Sequence, residues 1–345
     1  MPDTLPPSED LAARWARLRE EEPGLRVRDA ALRLATGEAA LVATLPGAVA
    51  LRPDWEALLR ALTGAGEVMA LTRNAHCVHE RHGRYREVSV NGQMGLVLGE
   101  DIDLRLFLAR WAHGFFVPAG QPGSPRGSLQ IFDAAGTAMH KVFATEATPE
   151  GALERIAADL AAAPAAPLRL APRPAPAAPR PDAEIDGAGL RAAWAALRDT
   201  HDFFPMLRRF GAERRQAFRL AGEAFAQRLA PGAIERALHG AAATRLPIMV
   251  FVGNPGCIQI HTGRVERLLP RGPWFNVMDP DFNLHLHSPG LAEIWLVRKP
   301  TEDGVVTSLE AFDAEGELAI MLFGKRKPGE AEDPAWRALA EEQAR

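Results

Sequence analysis

The sequence predicts an α+β fold arranged as a tandem structural repeat, with leading helices and a large antiparallel β-sheet in each half. The first observation behind this prediction is that blocks of sequence recur in the same order at a spacing of about 180 residues. Residues 68–85 match residues 248–265, and residues 128–143 match residues 308–323. The second observation is that each copy starts with helical periodicity and continues with short alternating runs. We therefore infer a duplicated α+β unit.

The first element of each copy is predicted to be helical. The stretches "EDLAARWARLREEE" and "AGLRAAWAALRDTH" carry apolar residues at helical spacing, and Trp15 in the first copy corresponds to Trp194 in the second. The leading helix of the second copy is predicted to begin around Gly189, so that His201 lies near its carboxyl end.

The later part of each copy is predicted to be an antiparallel sheet. Apolar and polar residues alternate over short runs, as in "GCIQIHTGRVERLL" and "EIWLVRKPTEDGVVTSLEAF", and Gly, Pro, Asn and Asp separate the runs. Alternation of this kind is typical of antiparallel strands with one face on a core. The closing stretch "AWRALAEEQAR" again predicts a helix.

A segment rich in proline and alanine separates the copies. Residues 161–184 read "AAAPAAPLRLAPRPAPAAPRPDAE", a composition that favours an extended, semi-rigid linker over a packed element. The predicted organisation is an amino-terminal repeat at 1–160, this linker, and a carboxyl-terminal repeat at 185–345.

Composition excludes several functional classes. With 345 residues, 47% hydrophobic content and a net charge of −4, the chain has the profile of a globular protein and lacks the basic balance of a general nucleic-acid binder. We see no basic segment followed by an apolar run at the start, and no uninterrupted apolar stretch long enough to span a bilayer. The two cysteines are compatible with a reducing compartment, so we expect a cytoplasmic protein.

The stretch "DTHDFFPMLRRFGAER", residues 199–214, is the leading candidate for a binding site. A histidine near a helix end is most often a cap or a bystander. Here His201 is followed by phenylalanines, which suit the face of a porphyrin, and by arginines, which suit two propionates. A neutral imidazole is also a common axial ligand of haem iron. The residues concerned are Phe203, Phe204, Phe210, Arg208, Arg209, Arg214 and Arg215.

The two copies differ at the candidate positions. Glu22 aligns roughly with His201, whereas Arg105 and Phe107 in the first copy align with Asn283 and His285 in the second. Equivalent binding modules would agree at these positions. The divergence favours one asymmetric site in which the second copy supplies the proximal ligand.

Alternative interpretations stay open for Arg105, Lys299 and the remaining histidines. Arg105 alternates with Leu104 and Leu106 and is therefore predicted to face away from them, which is compatible with a solvent-facing arginine. Lys299 ends a predicted strand, where a lysine is commonly a solvated edge charge. A directly bound metal is the rival for the remaining histidines, but no cysteine or carboxylate set completes either group. These groups are His76, His79 and His82, and His285 and His287.

The segment "WAALRDTHDFFPMLRRFGAERRQAFRLAG" resembles the haem-ligand segment of the bacterial haemin-degrading and haem-trafficking proteins of the HemS, ChuS, HmuS and PhuS type. The resemblance extends over essentially the whole chain, including "ALTRNAHCVHERHGRY", "DIDLRLF", "EIWLVRKPTEDG" and "LFGKRKPGE". It implies a two-repeat α+β fold with two large antiparallel sheets. It also implies that haem b (iron protoporphyrin IX) is held mainly by the carboxyl-terminal half.

The resemblance further implies a role for individual residues. His201 corresponds to the proximal ligand of the iron, and Arg105 to a distal arginine supplied by the first half. Both are thereby candidate catalytic residues. Phe107 lies beside Arg105 in the sequence, and Arg214 and Lys299 match cations near the propionates. Phe204 completes the expected haem-binding set. Ile320 and Met321 depart from the family, which often has polar or phenolic residues on that strand.

Two activities are compatible with this resemblance. In the first, the protein binds haem and opens its ring to release iron, as a haem oxygenase-like oxidoreductase that takes electrons from an external donor. In the alternative, it is a non-enzymatic chaperone that passes haem to a separate haem oxygenase. The expected partners are haem, a haem oxygenase or an inner-membrane haem importer, and an external electron donor.

Overall fold

A computed structural model describes residues 10–163, 168–173, 178–327 and 329–345. Within these residues the chain divides into two compact units. The first unit takes its residues from Met1–Thr72, Arg81–Pro174 and Asn254–Ile258, and the second from Arg73–Glu80, Ala175–Gly253 and Gln259–Arg345.

The first repeat begins with helices and continues as strands. Its helices are α1 (Leu11–Glu21), α2 (Val27–Arg33), α3 (Glu38–Ala43), α4 (Trp55–Leu62) and α5 (Ala152–Asp159). Its strands are β1 (Val49–Leu51), β2 (Val68–Arg73), β3 (Cys77–Gly83), β4 (Val88–Asn91), β5 (Met94–Val97), β6 (Asp103–Phe107), β7 (His113–Val117), β8 (Ser128–Phe132) and β9 (Ala138–Ala144).

The second repeat follows the same plan. Its helices are α6 (Gly187–Ala195), α7 (Phe203–Phe210), α8 (Arg214–Ala221), α9 (Ala233–Thr244) and α10 (Pro334–Glu342). Its strands are β10 (Ala226–Leu229), β11 (Ile248–Asn254), β12 (Cys257–Gly263), β13 (Trp274–Met278), β14 (Phe282–His287), β15 (Glu293–Thr301), β16 (Gly304–Phe312) and β17 (Leu318–Gly324). The predicted closing helix is confirmed as α10, and β15 and β16, which lie in one of the alternating runs, pair antiparallel as the predicted sheet requires.

Strand order within each unit shows the duplication directly. In the first unit the antiparallel order is β1-β7-β8-β9-β2, and β6-β5-β4 pair separately. In the second unit the order is β10-β15-β16-β17-β11, and β13 pairs with β14. The register even shifts at equivalent places, between Ile131 and Phe132 and between Ala311 and Phe312. Register irregularities of this kind are kept within a fold family, so their occurrence at equivalent places indicates that the two repeats have the same architecture.

Each unit has its own core. Trp15 packs with Phe115 and Phe132 in the first unit. Trp194 packs with Phe203, Phe218 and Trp295 in the second. Large buried aromatic side chains of this kind dominate core energetics. The sequence-equivalent tryptophans Trp15 and Trp194 therefore anchor the leading helices in both repeats.

The linker is more closely held than its composition predicts. Leu168 and Leu170 are partly buried against the core cluster of the first unit. A short 3₁₀ turn occupies Asp182–Glu184, and Gln216 donates a hydrogen bond to the Arg180 carbonyl (2.6 Å). Across its described residues the linker contains no α-helix, and the exact domain boundaries at 160 and 185 stay a prediction.

None of the helices in the described ranges is both long enough and apolar enough to cross a bilayer.

Candidate functional site

His201 lies in a short 3₁₀ turn, Thr200–Asp202, that leads directly into α7. The Asp199 carboxylate accepts a hydrogen bond from the His201 backbone N–H (2.7 Å), and Asp202 in turn accepts one from the Asp199 N–H (3.2 Å). These reciprocal bonds form a capping box around the turn. The local sequence therefore fixes the backbone that carries the imidazole.

The predicted position of His201 at the carboxyl end of a long helix is wrong. Helix α6 ends at Ala195, six residues earlier, and His201 precedes the amino end of α7. The physical reason is the Asp199 side chain, which offers the backbone hydrogen bonds that compete with continuation of the helix.

The His201 imidazole is oriented for ligation at one nitrogen. Its Nδ1 lies 2.6 Å from Asp199 Oδ1, so Nδ1 carries the hydrogen and the lone pair is on Nε2. The pKa of Asp199 is below its usual value, chiefly because its carboxylate accepts the hydrogen bond from the His201 backbone N–H and, to a lesser extent, the one from the His201 side chain. The side chain is 90% exposed, which leaves Nε2 accessible. Histidines that ligate a metal through one ring nitrogen commonly donate a hydrogen bond from the other ring nitrogen to a carboxylate, as Nδ1 does here.

The phenylalanines after His201 do not form a single wall. Phe203 is buried in the core, with its ring 4.7 Å from that of Trp194, and is not available to a ligand. Phe204, the next residue, is 60% exposed. Phe210 is partly buried against the same core, and Arg209 lies over its ring (5.2 Å). Only Phe204 of the three therefore presents a large apolar surface beside His201 in the sequence.

A buried ionic triad underlies this segment. The Glu310 carboxylate accepts hydrogen bonds from Arg214 Nε (2.6 Å) and Nη2 (2.9 Å), and from Lys299 Nζ (2.8 Å). Ser308 Oγ donates a further bond to Glu310 (2.8 Å). Both cations also lie over the Phe203 ring, Arg214 at 5.3 Å and Lys299 at 4.8 Å. The triad thus ties α8 and the strands β15 and β16 to the start of α7.

The triad carries one positive charge more than its carboxylate can neutralise. Lys299 is 3% exposed, so the expectation of a solvated edge lysine is wrong. Burial lowers the pKa of Lys299 to about 8, against the opposing attraction of Glu310. The pKa of Glu310 is about 2, because Arg214 and Lys299 outweigh the cost of burying its charge. Two cations around one carboxylate form a site that favours a further anion.

Sequence reasoning missed Glu310. The signal was a charged residue inside the apolar run "SLEAF", where the first repeat has Gln130 in "SLQIF". A buried charge is rarely found without partners, so this position required a cation nearby.

The other candidate residues of the second repeat have separate environments. Arg208 and Arg209 are exposed, and Arg215 is paired with Glu293 (3.3 Å). Met321 Sδ lies 3.4 Å from Arg214 Nη2, and Ile320 is buried. The Arg214 guanidinium therefore contacts a thioether on this strand.

Arg105 and Phe107 lie on β6 in the first unit. Leu104 and Leu106 are fully buried and Arg105 is not, so the predicted alternation is confirmed. The Arg105 guanidinium is ion-paired with Asp103, whose pKa is raised chiefly by burial. The Phe107 backbone N–H donates to the Gly256 carbonyl (3.0 Å). Arg105 therefore has a fixed counter-ion in its own unit.

The rival histidine sets do not form metal sites by themselves. Among the described residues, no three ligand atoms within 4.8 Å of one another come from the first histidine group alone, and none come from the second group together with a cysteine or carboxylate. The first group is His76, His79 and His82, and the second is His285 and His287. His79 is buried, and its ring lies 4.9 Å from that of Phe282. Cys77 and Cys257 are buried, and burial raises the pKa of both thiols, that of Cys257 to about 12. Both side chains belong to the apolar core clusters.

Comparison with known proteins identifies what both repeats resemble. The sequence profile described as "Haemin-degrading HemS.ChuX domain" matches twice, over residues 28–160 and 211–343. The hemin transport protein HmuS of Yersinia pestis is 41% identical over 330 residues, which are 95% of each chain.

Two solved structures share the fold over nearly the whole chain. Holo-PhuS, a heme-binding protein from Pseudomonas aeruginosa, has a TM-score of 0.93 at 53% identity and covers 96% of this chain and 97% of its own. ChuS, described as an E. coli heme oxygenase, has a TM-score of 0.86 at 35% identity and covers 97% and 99%. The predicted tandem α+β fold is confirmed, because one profile matches both repeats and these structures superimpose throughout.

Proposed function

The chain belongs to the family of the haemin-degrading HemS.ChuX domain, and from that premise we propose that it binds haem b with His201 as the axial ligand of the iron. The observation that carries the proposal is the imidazole itself: Asp199 holds Nδ1, and Nε2 is exposed. A neutral, oriented imidazole is what haem iron takes as a proximal ligand.

The surroundings of His201 suit the rest of the macrocycle. The Phe204 ring is exposed on α7, and the Arg214 guanidinium lies over it at 5.8 Å. Arg214 and Lys299 share one carboxylate, so a propionate from the ligand would complete the charge balance of the triad. The proposed contacts are therefore iron with His201, an apolar face with Phe204, and propionates with Arg214 and Lys299.

The reaction we propose is oxidative opening of the haem ring with release of iron. Dioxygen is the oxidant, and an external reductant supplies the electrons. The support is that ChuS, with this fold, is described as a heme oxygenase. In this reaction His201 would hold the substrate iron, and the Asp199 carboxylate would keep Nδ1 engaged and so leave Nε2 to bind the iron. Arg105 and Phe107, proposed for the distal side, are assigned by resemblance alone.

The alternative function is a haem chaperone that delivers haem to a separate haem oxygenase in the cytoplasm. The support is that HmuS is described as a hemin transport protein. Both functions require the same ligand, apolar surface and cations, so the residues alone do not separate them.

A titration with two variants tests the proximal ligand. His201→Ala is expected to shift the Soret band and to weaken haemin binding by at least about tenfold, since it removes the bond to the iron that we propose. His239→Ala, which removes an exposed histidine from α9 in the same unit, is the matched control and should leave both unchanged. An unaltered spectrum in His201→Ala would overturn the assignment.

Turnover separates the two functions. The haemin-loaded protein is mixed with a reductant under air, with catalase present to remove free peroxide. Enzyme-dependent loss of the Soret band with a defined tetrapyrrole product and free iron supports degradation. A band that persists until a haem oxygenase is added, and then transfers to it, supports delivery. Arg105→Ala should slow turnover and leave haemin affinity largely intact if degradation is the activity.

A further inference from the structure

We propose that the second unit contains a binding site for a divalent first-row transition-metal ion, formed by His76, Asp313 and Glu315. One ligand atom from each of these residues lies within 4.8 Å of the other two. The histidine comes from the turn before β3, and the carboxylates come from the turn between β16 and β17. The site is separate in sequence and chemistry from the residues assigned to haem.

The His76 imidazole is held in place before any ion binds. Asn74 Oδ1 accepts hydrogen bonds from the backbone N–H groups of His76 (3.0 Å) and Cys77 (2.8 Å), which fixes the turn. The His76 carbonyl accepts the N–H of His287 (2.8 Å), and the two imidazole rings stack at 5.8 Å and 19°. A Cβ at Gly290 would lie 2.0 Å from His76 Nδ1, so the ring packs directly on that glycine. The ring therefore has little freedom to turn away.

Asp313 presents one oxygen that the turn does not use. Its Oδ1 accepts the N–H of Glu317 (2.8 Å) and closes the β-turn. Its Oδ2 faces His76 Nε2 at 3.7 Å, which is too long for a hydrogen bond. The residue is only 5% exposed, so this oxygen is poorly solvated. Two ligand atoms at about 2.1 Å from a tetrahedral zinc ion are about 3.4 Å apart, close to the separation found here.

The equivalent turns, both in the first unit, show which contacts these turns need in the absence of the site. Asn254 Oδ1 accepts the N–H groups of Gly256 (2.9 Å) and Cys257 (3.0 Å), as Asn74 does in its own turn. Asp133 Oδ1 accepts the N–H of Thr137 (2.7 Å), as Asp313 does with Glu317. The asparagine and the aspartate are thus common to both repeats, and they fold the turns.

The remaining two ligands are not needed for folding. Gly256 stands where the other turn has His76, and Ala135 stands where the other turn has Glu315. The same backbone bonds form with glycine and alanine at these positions, so turn structure does not explain the histidine or the second carboxylate. A shared ligand does explain both.

The donor set indicates which ions fit. One imidazole nitrogen and two carboxylate oxygens suit borderline divalent ions such as Zn²⁺ or Fe²⁺, whereas Ca²⁺ and Mg²⁺ prefer oxygen ligands alone. Arg215, which packs against Gly316 of the same turn, is already paired with Glu293. Three protein ligands leave the coordination sphere open to water or a further donor.

The equivalent turns of the first unit also supply the variants for the test. The full-length protein, stripped with EDTA, is titrated with Zn²⁺ by calorimetry, and with Co²⁺ by its visible d–d spectrum. His76→Gly and Glu315→Ala introduce the residues found in the equivalent turns, Gly256 and Ala135, so the turns should still fold. The matched controls are His82→Ala on β3 and Glu317→Ala on the carboxylate turn.

The expected result is one tightly bound ion per wild-type chain, with affinity lowered at least about tenfold by each test substitution and unchanged in the controls. Haemin titration of the double variant should match the wild type, which separates this site from the proposed haem site. Equal Zn²⁺ binding by the wild type and the double variant overturns the proposal. So does an equal loss in the control variants, or the absence of a bound equivalent in the wild type.

Discussion

Lys299 is a buried cation whose charge depends on two neighbours of opposite effect. Glu310 stabilises the ammonium form, while burial and Arg214 destabilise it, and burial is the largest of the three. The pKa of about 8 lies below the ordinary value of 10.5, so the folded protein loses this proton at a pH where an exposed lysine keeps it.

This property predicts a pH dependence of haem binding. If Lys299 contacts a propionate, the haemin affinity should be constant below about pH 8 and should fall as the pH rises through that value, because the ammonium becomes a neutral amine. The measurement is the haemin Kd from pH 6.5 to 9.5. Lys299→Arg, which stays charged across this range, is the control that removes the effect of other titrating groups. A wild-type curve that coincides with the Lys299→Arg curve would exclude the contact.

His140 is a second buried titratable residue, within the first unit. Its Nε2 lies 2.6 Å from Tyr85 Oη and its Nδ1 lies 3.0 Å from Thr72 Oγ1, while Trp111 stacks on the ring at 6.4 Å. Burial lowers the pKa of His140 to about 3. Tyr85, the single tyrosine of the chain, is buried in this network.

The neutral His140 predicts a loss of stability in acid. The unfolded chain binds a proton on this histidine below about pH 6.5, and the folded chain does not until about pH 3. The contribution of neutral His140 to the free energy of unfolding is therefore fully present above pH 6.5. As the pH falls from 6.5 to about 3, the free energy of unfolding decreases by up to about 1.4 kcal/mol per pH unit. Urea unfolding from pH 4 to 7 measures the slope, with His140→Gln as the comparison. The prediction is contradicted if both proteins show the same slope.

At the scale of elements, the turn before α7 is the feature that positions the candidate ligand. Asp199 does two things there: it caps the turn through the His201 N–H, and it holds the imidazole through Nδ1. Neither role follows from periodicity, because the residues from Ala195 to Arg198 are good helix formers and predict a continuous helix. The pattern of strands and leading helices was predictable, whereas this interruption depends on one side chain competing for backbone hydrogen bonds.

The same limit applies to burial within α7. Phe203 and Phe204 are adjacent and chemically identical, yet one lies in the core and the other is exposed. Consecutive residues on a helix point about 100° apart, so only one of them can face the core, and the sequence does not say which until the start of the helix is known. Glu310 was missed for a related reason, since its cations come from other elements.

Removal of the Asp199 carboxylate is expected to weaken haem binding. Asp199→Ala leaves the His201 ring free to rotate and to change tautomer, so haemin affinity should fall by about tenfold or more and the Soret band should broaden or shift. Asp186→Ala, which removes the N-cap of α6 in the same unit, is the matched control for loss of a cap alone. Equal haemin affinity in the two variants would mean that Asp199 acts only on the backbone.

For the whole molecule, the duplication keeps the scaffold and diverges in chemistry. The strand order, the register shift and the Asn and Asp turns are the same in both repeats. The sites differ: Glu22 stands near the position of His201 and is paired with Arg33, and Gln130 stands where the second repeat has Glu310. The scaffold was predictable because the same sequence pattern occurs in both repeats and supports the same structure twice. The site residues were harder to predict, because each occurs in one repeat only and has no counterpart for comparison.

This divergence predicts a single haem site per chain. The first repeat has neither a histidine at the position of His201 nor a carboxylate at that of Glu310, so it lacks both the iron ligand and the counter-ion of the buried cations. A haemin titration followed at the Soret band should reach its end point at one equivalent, and native mass spectrometry should show one haem on the intact chain. His201→Ala run in parallel accounts for non-specific haemin, which should then be all that remains. Two saturable equivalents in the wild type, one of them persisting in His201→Ala, would show that the first repeat binds haem by residues other than those that aligned.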